Sequence, residues 1–407
     1  MAVYDVLIVG GGPTGLSAAT TTAKQGLSTI LIEEHTKIGQ PLACGEGISA
    51  DKLFSLENMP KINSQTNDQI LRLQQHESFI ERVVNTQRFF FGSKGVATAN
   101  IKTITINRPL FDQIMAKQAH NAGVELLLGT QVIAINPKNG RLEIKTTNGS
   151  YEANIAIGCD GPSAHTVRMM GLQPPTEYVQ GVEYKIQGVH TDALDFYFDF
   201  NHFKKMHYGW SFPKKKHTNV GVVVEPASKP MKILNQFIKH LRYMDIKDEE
   251  IIQKIAGIIP ASGPIPKRYS NNYMVAGDAA GLTNSIFYGG ISIGIHSGML
   301  AGQTAVEAHE IGKFDEQQMS EYQKNSQSYP YMDPIIQQAH EILYNKFSAD
   351  DIETFGSWID GWDITTLSMF QKLRLFLKSL ISPSMLKKFS EARIIAHGFS
   401  KSRDWGF

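Results

Sequence analysis

A chain of 407 residues, 42% of them hydrophobic, has ample length for a large core and about two to three domains. Its net charge of +1 gives no broad attraction to nucleic acid, and two cysteines make no disulfide framework, so a reducing, cytoplasmic setting is expected. The first strand leaves no room for a signal peptide and no apolar run is long enough to span a bilayer, so any membrane contact is expected to be peripheral.

Tyr4 to Val9 is an apolar run feeding the turn Gly10-Gly11-Gly12-Pro13-Thr14-Gly15, and a second apolar run ends in Glu33. Strand, glycine turn, helix, strand and acid in that order are what a βαβ unit needs to hold a dinucleotide. Gly10 makes the tight turn, Gly12 lets backbone approach a pyrophosphate, and Gly15 lets the helix pack on the sheet. The helix that opens at Pro13 and Thr14 faces the phosphates with unpaired N–H groups. Glu33 can accept hydrogen bonds from an adenosine ribose, so the expected ligand is FAD or NAD.

Gly39 to Ser49 reads as a loop containing Cys44, Gly45, Glu46 and Gly47, and a helix is expected to start near Ser49 and Asp51. Phe79 to Ile106 holds short β-like runs, including Phe89 to Phe91. Arg108 to Ala122 has helical spacing, with Leu110, Phe111, Ile114, Met115 and Ala119 on one stripe. Val124 to Leu128, Val132 to Asn136, Leu142 to Thr146 and Ala153 to Gly158 read as strands, and Cys159-Asp160-Gly161 closes the last. Leu194 to Phe200 and His207 to Phe212 alternate with the period of a half-buried strand. The second run puts Tyr208, Trp210 and Phe212 on one face, and Asn219 to Val224 adds another strand. Met231 to Met244 and Asp248 to Ala256 have helical spacing. Tyr273 to Ala276 reads as a strand returning to the first domain and leads into Gly277-Asp278. Gly290 to Gly312 is a long helix rich in small residues, and the chain past Asp315 reads as helical to its end.

The expected fold is α/β, built on a discontinuous Rossmann-like FAD domain of residues 1–75, 100–177 and 260–312. An antiparallel β-sheet substrate domain of 76–99 and 178–259 is inserted into it, and 313–407 form a helical C-terminal region. The Gly277-Asp278 element separates flavin from nicotinamide. Asp278 can accept from ribityl hydroxyls, and the helix start at Gly290 and Ile291 can offer N–H groups to the pyrimidine end of a flavin. A nicotinamide enzyme has no need of this third glycine–acid element, so the cofactor is expected to be FAD, with no metal.

These elements resemble the FAD-dependent hydroxylase superfamily over the glycine turn, Arg108, Asp160-Gly161 and Gly277-Asp278. Within it the chain is most similar to the geranylgeranyl reductase family. The narrower match rests on Pro41 to Ser49, on Tyr208-Gly209-Trp210-Ser211-Phe212-Pro213-Lys214, and on Gly277 to Gly281 running on to Gly289-Gly290-Ile291. Ser285 and Tyr288 depart from it, standing where the family has proline and glycine. The resemblance implies hydride transfer from reduced FAD to isolated C=C bonds of geranylgeranyl chains in archaeal-type membrane lipids. It places Cys44, Tyr208 and Trp210 at the reacting end, Gly45, Gly47 and Val132 among the cofactor contacts, and Arg108 near an FAD phosphate. Glu46 reads as a surface or salt-bridged carboxylate, and Lys214 to His217 as a solvated turn or a headgroup contact. The electron donor is expected to be NAD(P)H, docking transiently, or a ferredoxin. The mixed apolar and basic stretch Phe370 to Phe389 suits either a membrane surface or a packed amphipathic helix. Competing readings are an FAD-dependent monooxygenase of an apolar or aromatic substrate, and a flavin-binding lipid carrier.

Overall fold

The computed structural model describes residues 2–49, 77–93, 95–241, 250–364, 369–371, 375, 377, 383–402 and 405. Its first sheet runs Tyr269–Ser270, Tyr273–Val275, Gly149–Gly158, Val3–Val9, Thr29–Ile32, Glu125–Leu127 from edge to edge. The hairpin of Val132–Lys138 and Arg141–Thr146 attaches to Gly149–Gly158. Val3–Val9 is parallel to both of its neighbours, and Val6, Leu7 and Ile8 are fully buried. A central parallel strand is covered on both faces, which is why this one reads as an unbroken apolar run. Helix Pro13–Lys24 lies on this sheet, and helix Ile291–Ile311 packs along that helix. A Cβ added at Gly298 would come within 2.2 Å of the Thr14 carbonyl oxygen, so the small residues of the long helix let the two backbones close.

The second sheet has seven strands in the order Ile251–Pro260, Tyr178–Gln187, His217–Val224, Met206–Pro213, Leu194–Phe198, Gln87–Phe91, Gly95–Ala99. It is antiparallel except where Leu194–Phe198 runs parallel to Gln87–Phe91. A small third sheet joins Gly47–Ser49, Thr103–Ile106 and Ile80–Val84. The fold is thus α/β, with a Rossmann-type sheet assembled from separated segments, a largely antiparallel second sheet, and C-terminal helices.

Three expectations are corrected. Asp248 to Ala256 was expected to be helical, but Ile251–Pro260 pairs along Tyr178–Gln187, and the β-branched run Ile251, Ile252, Ile255 serves the edge of a sheet. Gly47–Ser49 is a strand against Thr103–Ile106, and the helix start expected at Asp51 lies outside the described residues. Leu194–Phe198 is buried throughout, not on one face. Its second face is closed by helix Pro230–His240, whose Leu234, Phe237 and Ile238 pack on Tyr184, Tyr197 and Val222. Asp195 on that strand is 1% exposed and takes a two-pronged ion pair from Arg88 at 2.6 and 2.8 Å. Met231 to Met244 is helical as far as His240, and its last three residues lie outside the described part.

The first face of the second sheet carries Phe89, Phe196, Tyr208, Trp210 and Phe212 and meets the C-terminal helices. Those helices are Pro334–His340, Ala349–Ile359 and Pro383–Ser402, whereas Glu316–Ser326 packs on the first sheet through Met319 and Tyr322. Among the described residues no helix is long and apolar enough to cross a membrane. Phe237→Ala removes a ring that lies against Gly209 and edge-on to Tyr197. It is expected to lower the unfolding free energy by about 3–5 kcal/mol in denaturant titration; a change below about 1 kcal/mol would mean that the helix does not close this face.

Candidate active site

Two cavities meet between the sheets. The first, of about 430 Å³, is lined by Gly10, Gly12, Glu33, Val132 and Asp160. The second, of about 320 Å³, is lined by Thr14, Cys44, Gly45, Gly47, Asp278, Gly290 and Ile291, with Tyr208, Trp210 and Phe212 as its far wall. Gly12, Ala43, Arg108 and Gly161 line both, so the two form one elongated space. Gly15 is placed beneath it, where a Cβ would meet the Gly10 carbonyl oxygen at 1.9 Å. Every residue expected to bind the cofactor therefore lines this space or, at Gly15, supports its floor.

The space fits FAD on the structure's own terms. A Cβ built at Gly12 meets no protein atom within 4 Å, so that position opens onto the cavity at the start of helix Pro13–Lys24. At one end, Glu33 accepts the Gly11 N–H at 2.6 Å and the His35 N–H at 2.9 Å. The oxygen that accepts from Gly11 keeps a second lone pair for a ribose hydroxyl, whereas the other also faces His35 Nδ1 at 2.6 Å. At the other end, Asp278 accepts from the Thr283 hydroxyl, and Gly290 comes so close that a Cβ there would lie 2.9 Å from Asp278 Oδ1. Gly290 also precedes helix Ile291–Ile311, whose first N–H groups line the cavity.

Two of the expected contacts have other work. The Asp160 carboxylate is turned to Thr166, accepting its N–H at 2.9 Å and its hydroxyl at 2.5 Å. The Arg108 guanidinium is held by Asp112 through two hydrogen bonds of 3.0 Å, so its charge is matched within the protein before any phosphate arrives.

The loop carrying Cys44 is pinned by its neighbour. Glu46 has φ 65, a left-handed backbone that a residue other than glycine holds only when its surroundings demand it. Its carboxylate is 1% exposed, accepts the Arg108 N–H at 2.9 Å and the Asn219 amide at 3.0 Å, and pairs with Lys185 at 2.9 Å and Lys214 at 3.0 Å. Burial alone would raise this carboxyl, but Lys214 and Lys185 overcome it and hold it at about 2. Lys214 is itself 1% exposed, so it is neither a solvated turn nor a headgroup contact; Lys215 and Lys216 are exposed.

Cys44 is half-buried and its Sγ accepts the Glu46 N–H at 3.2 Å. Burial pushes its thiol up, opposed by the charge of Arg108, so at neutral pH it is a thiol. Cys159 is buried. Trp210 donates its indole N–H to Glu183 at 3.1 Å, and Tyr208 donates its hydroxyl to the Phe287 carbonyl at 2.6 Å. Both rings are thereby anchored where they line the second cavity. Glu183 is pushed up to about 8 by burial and by the nearby charge of Glu46. Tyr288 has φ 56 and stacks on Tyr208 at 6.1 Å, with its hydroxyl 2.5 Å from His207 Nδ1.

Sequence reasoning missed Glu183, Lys185, Asn219 and Asp112. Glu183 and Lys185 alternate with Val182, Tyr184 and Ile186, a pattern indistinguishable from a strand with one wet face. Asp112 could have been found as the i+4 partner of Arg108.

Two outcomes follow from this geometry. Gly12→Val should leave the fold intact, since no protein atom is in its way, yet abolish FAD binding in flavin-release assays; full flavin occupancy would contradict the assignment. Glu46 stabilises the fold fully above its unfolded value of 4.5, and that contribution is lost as pH falls toward 2. Glu46→Gln leaves the buried Lys214 ammonium and the partly buried Lys185 ammonium without this partner and should cost about 3–5 kcal/mol at pH 7. The deficit relative to wild type should shrink as the acid limb is entered, and a deficit that stays constant from pH 7 to pH 3 would contradict the pairing.

Known proteins agree with this geometry. A model of the FAD dependent oxidoreductase family matches residues 5–216, more than half of the chain. The digeranylgeranylglycerophospholipid reductase of Methanocaldococcus jannaschii is 28% identical, over 96% of this chain and 98% of its own. Digeranylgeranylglycerophospholipid reductase 3 of Methanosphaera stadtmanae is 29% identical, over 94% and 97%. Among solved structures, a geranylgeranyl bacteriochlorophyll reductase-like protein of Thermoplasma acidophilum superposes with a TM-score of 0.80 at 26% identity, covering 96% of this chain and 99% of its own. A flavin-dependent brominase, at TM-score 0.67 and 15% identity, shares the fold. With the family model spanning the glycine turn, the Cys44 loop and the aromatic strand, this chain belongs to the FAD dependent oxidoreductase family.

Proposed function

We propose that this enzyme uses FAD to saturate C=C bonds of geranylgeranyl chains in isoprenoid membrane lipids. The observation that carries this reading is the junction of a dinucleotide-shaped cavity with a wall of Tyr208, Trp210 and Phe212, each 6–7% exposed. An isolated alkene offers no polar handle, so the protein must hold the chain by shape and keep water out. The names of the full-length relatives from Methanocaldococcus jannaschii and Methanosphaera stadtmanae point the same way.

Reduced FAD, when bound, supplies a hydride to one alkene carbon while a proton reaches the other. In this reading Gly12 and the start of helix Pro13–Lys24 receive the pyrophosphate, and Glu33 the adenosine ribose. Asp278 receives the ribityl hydroxyls, and the N–H groups after Gly290 face the pyrimidine end, where negative charge builds on reduction. Tyr208 and Trp210, on the wall of the second cavity, would hold the prenyl chain against the cofactor, and Cys44, a neutral thiol, lines the same cavity. The electrons come from NAD(P)H docking transiently or from a ferredoxin; no second glycine-rich βαβ unit is legible in the sequence. Lipid enters from a membrane surface touched by the C-terminal region, where Met369, Phe370 and Leu377 stand 84%, 73% and 56% exposed. Part of the stretch Phe370 to Phe389 lies outside the described residues, and Lys388 within it pairs with Asp351.

Oxygen separates this reading from a monooxygenase. Photoreduced holoenzyme under argon should regain its oxidised flavin absorbance when a digeranylgeranyl glycerolipid is added. A reduced flavin that persists under argon with lipid present, and is reoxidised with product formation only on admitting oxygen, would replace the reductase with the monooxygenase.

A further inference from the structure

On the far side of the second sheet from the flavin cavity, three side chains converge. Asp199 follows strand Leu194–Phe198, His202 lies in the turn after it, and His240 ends helix Pro230–His240. One ligating atom from each, the two imidazole nitrogens and a carboxylate oxygen, all lie within 4.8 Å of one another. His202 Nδ1 is 2.8 Å and His240 Nε2 is 3.4 Å from the same oxygen, Asp199 Oδ2.

We propose that Asp199, His202 and His240 form a binding site for a divalent transition ion of the zinc class. Ligands at the usual Zn–N and Zn–O lengths stand about 3.3 Å apart in a tetrahedron, and the two separations on Asp199 Oδ2 bracket that value. Imidazole and carboxylate together suit zinc better than magnesium, which takes an all-oxygen shell.

The surroundings prepare the set. The Asp199 side chain is 9% exposed, and its ion-pair partners among the described residues are the two histidines. A carboxylate this buried and without a lysine or arginine partner gains most from a cation. The His202 main-chain N–H donates to Asp199 Oδ1 at 3.1 Å and orients the carboxylate, whose two oxygens lie 3.0 and 2.8 Å from His202 Nδ1. Phe203 packs edge-on against the His240 ring with centroids 5.4 Å apart, which orients the ring. Both histidines are 41–51% exposed, so an ion can enter and water can complete its shell.

The ion would fasten the turn at 199–203 to the end of the helix that closes the back of the substrate sheet. It would act as a structural clamp, remote from the flavin cavity. No local motif marks it, because His202 and His240 are brought together only by the packing of that helix.

Isothermal titration of the metal-stripped holoenzyme with Zn²⁺ should show one ion per chain. His202→Gln and His240→Gln, at exposed positions, should each weaken binding by more than about tenfold. Asp199→Asn should do the same, whereas His190→Gln outside the cluster should leave binding unchanged. Zn²⁺ should raise the melting temperature of wild type and not of the histidine variants. Failure of wild type to bind one equivalent, or binding that survives each substitution in the cluster, would overturn the site.

Discussion

Everything in the active region hangs on the buried carboxylate of Glu46. It sits in a loop that belongs to neither sheet, yet it accepts from the first residue of helix Arg108–Asn121 and from Asn219 in the second sheet. It also pairs with Lys185 on strand Tyr178–Gln187 and with Lys214 just past strand Met206–Pro213. The loop, the start of that helix and the second sheet are thereby tied to a single pair of oxygens. A charge with no exposure costs several kcal/mol to desolvate, and two ammonium groups plus two N–H donors offset that cost only in this one arrangement. The strained backbone at Glu46 is what this constraint looks like locally. Its result is that Cys44 and Gly45 on one side and Gly47 on the other are held as the wall between cofactor space and aromatic wall.

Around that knot the polar hydrogens of the aromatic wall are turned away from the cavity. Trp210 and Tyr208 donate their polar hydrogens away, to Glu183 and to a backbone carbonyl, and present carbon to the cavity. Arg108 is neutralised by Asp112, and Cys44 stays a thiol. The charged residues needed to fix the loop are thus paired behind the wall, not in it. This suits a substrate whose only recognisable feature is length and unsaturation, and it is the reverse of the polar pocket that a hydroxylated aromatic ring would call for.

How much of this was legible in the amino-acid sequence follows from how local each constraint is. The glycine turn, Glu33 and the Gly277-Asp278 element are dictated by backbone geometry over a few residues, so they could be read directly and lie along one cavity. The period-two alternation of Tyr208, Trp210 and Phe212 gave the aromatic face, but the burial of the opposite face could not be read, because it depends on a helix beginning at Pro230. Ile251–Pro260 has residues compatible with either helix or strand, and pairing with Tyr178–Gln187 decides it. Lys214 was unreadable for the opposite reason: in a run of three lysines next to a turn, composition says solvent, and only a partner 168 positions earlier in the chain says otherwise. Long-range ion pairs leave no periodic trace.

The central claim is that a flavin held against this wall saturates isoprenoid chains. The most direct measurement is mass spectrometry of lipids from cells that make digeranylgeranyl glycerolipids and express this chain. Lipids heavier by two hydrogens for each bond reduced are expected, with no oxygen added. Lipids of unchanged mass beside a fully flavinylated, folded enzyme supplied with reducing equivalents, or masses raised by oxygen atoms, would contradict it.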